Sequence, residues 1–216
     1  MDIPLEKKLK KQAHIQVTRL QDELMQILYS IDSSLVLHGG TSIWRCYGGC
    51  RFSEDLDLYA GSRTSKSFIS EFKDVCKSRG LTIDKIKETE NLIYAKISDS
   101  QSQVRVEINK ENYKNPIPLH YENIDGSKMI IFGLELTTLI EEKILAFKSR
   151  KLIRDIYDIY FLSGLLKPKE NISSQFKLQL NSLPKPLDES NLSAIVYSGA
   201  IPSSESMVKI ITGRLK

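Results

Sequence analysis

The chain has 216 residues, 41% hydrophobic and 27% charged, with a net charge of +4, which suits one large domain or a domain with a smaller attachment and allows a real buried core. No run approaches the roughly 20 apolar residues that cross a bilayer, and the basic opening MDIPLEKKLKKQAH is followed by no apolar stretch of the signal-peptide kind, so a cytoplasmic protein with no membrane association is expected. Cys46, Cys50 and Cys76 are odd in number and argue against a disulfide framework, while the mild positive charge permits nucleic-acid contact without requiring it.

From Leu5 to Ile31, apolar residues recur every three or four positions, which predicts one amphipathic helix. Its polar face carries Lys7, Lys8, Lys10, Lys11 and Arg19, either a solvated face or one that meets RNA phosphates. Leu35 to His38 reads as a short strand, broken by Gly39 and Gly40 ahead of Thr41 and a short helix. Glycines let a backbone approach a ligand, and the N–H groups opening a helix attract anions, so this turn reads as a phosphate cradle. A second strand then carries Asp55 and Asp57. Residues two apart on a strand share a face, and two adjacent carboxylates call for a cation between them. Hard oxygen ligands suit Mg²⁺ or Mn²⁺.

Ser65 to Arg79 has helical spacing, and strands are predicted at 81–87, 92–97 and 104–109 as an antiparallel meander. Glu107 falls on the polar face of the last of these, either as a third carboxylate that holds an activating ion and acts as base, or as an ordinary exposed glutamate. Residues 112–123 read as a Pro-containing loop, and 128–132 as a further strand. Thr138 and Glu141 make a capping box at the start of a helix whose apolar arc encloses Lys143. An inward lysine needs a charged partner, which is either a nucleotide phosphate or the carboxylate of Asp155 or Asp158. Arg150 and Arg154 extend the positive rim if the helical phase continues. Beyond Leu166 two short helices are predicted, near 172–180 and 188–197. His38, Cys46 and Cys50 lack a fourth partner and the spacing of a zinc site. Trp44 and Tyr47 read as core.

Two motifs, GGT followed by RFSEDLDL, and EEKILAFKSRKLIRDIYDIYFL from Glu141 to Leu162, carry a family resemblance. The first resembles the nucleotidyltransferase signature of a Gly-Gly turn and Asp-x-Asp. Together they resemble the AbiEii and MenT-like toxins of type IV toxin-antitoxin systems. The resemblance covers roughly the middle two-thirds of the chain and implies an α+β nucleotidyltransferase fold, a mixed sheet flanked by helices. The pattern of predicted elements divides the chain into a core with its N-terminal helix, 1–133, and a helical C-terminal portion, 134–216, packed on it. The resemblance also implies an NTP-dependent transferase of the two-metal type, with Asp55, Asp57 and Glu107 on metal and Asp55, Asp57, Lys143, Glu107 and Asp158 catalytic. Gly39, Gly40, Thr41, Arg51, Ser53, Lys143 and Arg154 then contact the nucleotide. The implied acceptor is a tRNA 3′ end, and the implied partner a cognate antitoxin. The alternative is a non-catalytic module of the same fold that binds RNA or a protein, or a transferase with a protein or small-molecule acceptor.

Overall fold

The computed structural model describes residues 3–60, 64, 67–111, 113, 115–168, 170–180 and 183–215. The chain forms two compact units, one of residues 1–47 and 52–134, the other of residues 48–51 and 135–216.

The first unit is built on a mixed seven-stranded sheet. Its strands are β1 (Val36–His38), β2 (Leu56–Tyr59), β3 (Thr82–Glu88), β4 (Leu92–Ser98), β5 (Gln103–Asn109), β6 (Ile117–Glu122) and β7 (Lys128–Gly133), in the order β3-β4-β5-β2-β1-β7-β6. β2 runs parallel to β5 and β1 parallel to β7, while the other neighbours are antiparallel. Strict alternation on β5 turns Val104, Val106 and Ile108 into the core and leaves Arg105 and Glu107 on the opposite face. The core face is covered by α2 (Gln12–Ile31) and α4 (Phe68–Ser78), through Leu20, Leu24, Leu28, Phe68 and Phe72. A helix α3 (Gly39–Tyr47) links β1 to the loop before β2.

The N-terminal helix is not continuous. A first turn, α1 (Leu5–Lys8), stops where Leu9 becomes extended (ψ 129°), and α2 begins after Lys11. The break is fixed by tertiary contact: Leu5 and Leu9 both bury, and the Glu6 N–H donates to the Ile124 carbonyl at 3.0 Å. The predicted loop at 112–123 is also corrected, since Ile117–Glu122 is strand β6. β6 lies at the edge of the sheet, where Pro118 forfeits no needed ladder bond; residues 112 and 114 lie outside those described. The predicted helix from Ser65 begins at Phe68, and positions 65 and 66 are likewise outside the described residues.

The second unit is helical. It contains α5 (Leu136–Arg150), α6 (Ile153–Ser163), α7 (Ser174–Leu180), a 3-10 turn at Glu189–Asn191 leading into α8 (Leu192–Ile195), and α9 (Ser204–Leu215). Helix α5 starts two residues before the predicted capping box and has Glu135, with no side-chain cap bond, at its N-cap. Helix α9 was not anticipated from the sequence, although Met207, Ile211 and Leu215 recur at four-residue spacing and all bury. Among the described residues no helix is long and apolar enough to cross a membrane.

Candidate active site

Helix α3 opens directly from the end of β1. Gly39 has φ +70°, and a Cβ placed on it would lie 2.5 Å from Oδ2 of Asp57. His38 is paired with Asp57 across β1 and β2, which sets the Asp57 carboxylate against the opening turn of α3. Only glycine fits there. Asp55 stands just before β2 rather than on it, with its side chain 20% exposed.

The loop that carries Asp55 is held from beneath. The buried Thr41 hydroxyl donates to the Asp55 carbonyl at 2.5 Å, and Gln21 Nε2 donates to the Ser53 carbonyl at 2.9 Å. Thr41 was expected to face phosphate; the structure instead directs its hydroxyl into the protein, where it fixes the backbone of Asp55. Gly40 is buried within α3, and Ser53 contributes its carbonyl to the support of the loop. A second brace is the buried pair of Arg45 on α3 with Asp22 on α2. Arg45 also donates from Nε to the Glu122 carbonyl at 2.7 Å, and Asp22 accepts the Ile124 N–H at 2.7 Å.

Glu107 is directly opposite Asp57 on the parallel strand β5. Between them and Asp55 works a residue that sequence reading did not single out. Arg105 pairs with the Asp55 carboxylate, and its Nε lies 3.4 Å from Glu107 Oε1. Its place two positions from Glu107 on an alternating strand was the available signal. Glu54, Asp55, Lys96, Gln103 and Arg105 line an open cleft of about 230 Å³ at this point.

The chemistry of the donors suits a divalent cation. Asp55 and Asp57 offer hard oxygens, Mg²⁺ commonly takes one or two protein carboxylates and completes its shell with water and phosphate, and the space kept open beside Gly39 gives the Asp57 carboxylate room. Among the described residues no group of three His, Cys, Asp or Glu side chains is gathered to hold a metal, so Glu107 lies opposite Asp57 without joining a three-ligand cluster.

The second motif forms an ionic cluster within the second unit. Arg51 meets Asp158 through two bonds of 2.6 Å, from Nε and Nη2. Lys143 Nζ lies 2.8 Å from Asp158 and 3.6 Å from Asp155, and Arg150 grips Asp155 bidentately at 2.8 and 2.6 Å. Of the two partners considered for Lys143, the carboxylates are the ones in contact. Arg51, expected on the nucleotide, is turned instead into this cluster, because burial leaves its guanidinium no stable position without a counter-charge. Burial opposes ionisation of Asp158, but the attraction of Arg51 and Lys143 outweighs it and holds the carboxyl below its ordinary range. Arg154 is half-buried, and its Nε meets no acceptor among the described residues. Cys46 and Cys76 are free thiols that burial pushes up to about 12 and about 11, outside the reactive range.

The fold is shared with solved structures of low sequence identity. A candidate nucleotidyltransferase from H. pylori superposes with a TM-score of 0.61 at 20% identity, covering 95% of this chain and 94% of that one. JHP933 from Helicobacter pylori gives 0.59 at 19% identity, with coverage of 95% and 91%. MenT4, a nucleotidyltransferase toxin from Mycobacterium tuberculosis H37Rv, gives 0.58 at 14%, with coverage of 95% and 84%. No curated protein matches the chain by sequence. The family model for the nucleotidyl transferase AbiEii toxin of type IV toxin-antitoxin systems matches residues 26–180, a span that contains Gly39, the Asp55–Asp57 pair and the Lys143–Asp158 cluster. The chain therefore belongs to the AbiEii family of nucleotidyltransferase toxins.

Proposed function

We propose that the protein transfers a nucleotide from an NTP to an acceptor hydroxyl in a divalent-metal-dependent reaction, with a tRNA 3′ end as acceptor and translation as the process blocked. The observation that carries the reading is the Asp57 carboxylate set against the opening turn of α3 at Gly39, with Asp55 two residues earlier on the loop entering β2. In the reaction the acceptor oxygen attacks the α-phosphorus, its bond to the β-phosphate oxygen breaks, and pyrophosphate leaves. A divalent ion, when bound, would supply Lewis-acid polarisation of the phosphoryl group and a lowered pKa for the attacking hydroxyl. Asp55 and Asp57 would hold it, and Mg²⁺ or Mn²⁺ suits their oxygens.

The remaining residues bind and orient. The α3 N–H groups that follow Gly39 and Gly40 take phosphate oxygens, and Thr41 fixes Asp55 from behind. Glu107, opposite Asp57 on β5, would be the ligand of a second ion. Lys143, Asp158 and Arg51 act as positioning residues through their ionic cluster. Family membership supports a cognate antitoxin as the protein partner.

The reading is tested by incubating purified protein with Mg²⁺, each α-labelled NTP in turn and total RNA, beside an Asp55→Ala, Asp57→Ala variant. Label in tRNA with wild type alone is the expected result and names the nucleotide. Label in protein, or in no RNA under any NTP, overturns the tRNA acceptor.

A further inference from the structure

The polar face of β3, β4 and β5 carries a line of cations that runs outward from the Arg105 in contact with Asp55. Lys85 is directly opposite Lys96, and Lys96 is directly opposite Arg105. Three cations thus stand in a row across three adjacent strands. Like charges at directly opposed positions are destabilising; Arg105 is offset by Asp55 and Glu107, which leaves the Lys85–Lys96 part of the row without an anion. Among the described residues neither Lys85 nor Lys96 forms an ion pair. Lys85 sits 5.7 Å above the ring of Tyr94 instead, and Lys96 lines the cleft next to Asp55. With strands about 4.8 Å apart, the row extends roughly 10 Å and ends at the acidic pair.

Building on the nucleotidyl-transfer reading, we propose that Lys85, Lys96 and Arg105 are the landing row for the phosphate backbone of a single-stranded polynucleotide acceptor. The row leads a strand toward Asp55, where Arg105 is in contact, and the neighbouring register line of Lys87, Tyr94, Glu107 and Asp57 runs beside it. Tyr94 in that line lies under Lys85, so a phosphate that draws the lysine aside meets an aromatic ring beside it, and cations interleaved with an aromatic are the means by which single strands are held without sequence readout. A folded acidic protein is the weaker match, because the cations form a line rather than a patch. The basic N-terminal segment is the weaker surface, because Arg19 is paired with Glu6 and Lys8 with Glu122.

The test is the affinity of a short fluorescein-labelled single-stranded RNA for the whole protein in EDTA without NTP, measured across a salt series. The double variant Lys85→Gln, Lys96→Gln is compared with wild type and with the control Lys7→Gln, Lys10→Gln. Loss of two phosphate contacts lowers the slope of log K against log salt by about 1.4, and affinity at low salt falls about tenfold or more. The control keeps the wild-type slope. In transfer assays the KM for NTP stays constant while that for RNA rises. An unchanged slope in the Lys85, Lys96 variant, an equal loss in the control, or a wild type that binds no RNA overturns the row. RNA binding by wild type with the predicted slope loss in the double variant, but no label transferred by wild type, leaves the row standing and sinks the transfer reading instead.

Discussion

Asp57 lies so close to Gly39 that the two positions are coupled: a Cβ on residue 39 would be 2.5 Å from Asp57 Oδ2, and the backbone there has φ +70°. Gly39→Ala therefore both strains the turn and pushes the carboxylate away. The left-handed φ costs about 1–2 kcal/mol in stability, visible as a lowered thermal midpoint. The displaced carboxylate lowers transfer about 100-fold, as misplacements near 1 Å do.

Thr41 acts on Asp55 through a hydrogen bond to its carbonyl. Thr41→Val keeps the shape but leaves that carbonyl unsatisfied, at a cost of about 1–2 kcal/mol in a chemical-denaturation midpoint. Thr41→Ser restores the donor and is expected to recover both stability and transfer. Failure of Ser to rescue would show that the hydroxyl is not the operative group.

Arg51, Lys143 and Arg150 supply three positive charges to the two carboxylates Asp155 and Asp158. Arg51→Lys removes the fork that grips both oxygens of Asp158 and is expected to destabilise by about 2 kcal/mol. Lys143→Met leaves Asp158 still held by Arg51, so a loss of similar size, about 2 kcal/mol, is expected rather than collapse. Urea midpoints measure both, and a Lys143→Met protein as stable as wild type would show that the pair contributes nothing to the fold.

The same cluster sets an acid limit. Asp158 has its folded-state pKa held down, so its contribution is present above the ordinary carboxylate value of about 3.9 and is lost as pH falls through the lower folded value. Asp22 has the opposite sign. Burial raises its pKa in spite of Arg45, so its contribution is present at low pH and is lost as pH rises through the folded value. Urea midpoints of wild type are expected to drop below about pH 4. Asp158→Asn starts lower and lacks that share of the acid decline.

The legible parts of this protein are those in which one local pattern decides the outcome. The alternation of Val104, Val106 and Ile108 fixed the strand and its faces, and a second strand was read through Asp57, although Asp55 falls just before it. Where long-range contacts decide, the sequence was silent or misleading. Nothing local says that Leu9 breaks the first helix, that Pro118 sits in an edge strand, or that the Thr41 hydroxyl turns inward to Asp55. Arg51 precedes the acidic pair by a few residues, yet its partner Asp158 lies 107 positions away. Arg105 was visible as a polar strand residue, but its pairing with Asp55 depends on the β2–β5 register, which no single strand reveals.

In the proposed reaction Asp55 and Asp57 carry the divalent ion that drives nucleotidyl transfer. Asp57→Asn keeps the side-chain shape beside Gly39 and removes the charge, so transfer of label from α-labelled NTP in Mg²⁺ should fall by about 100-fold or more, with the thermal midpoint within a few degrees of wild type. Transfer by the folded Asp57→Asn protein at close to the wild-type rate would contradict the account and place the chemistry elsewhere on the chain.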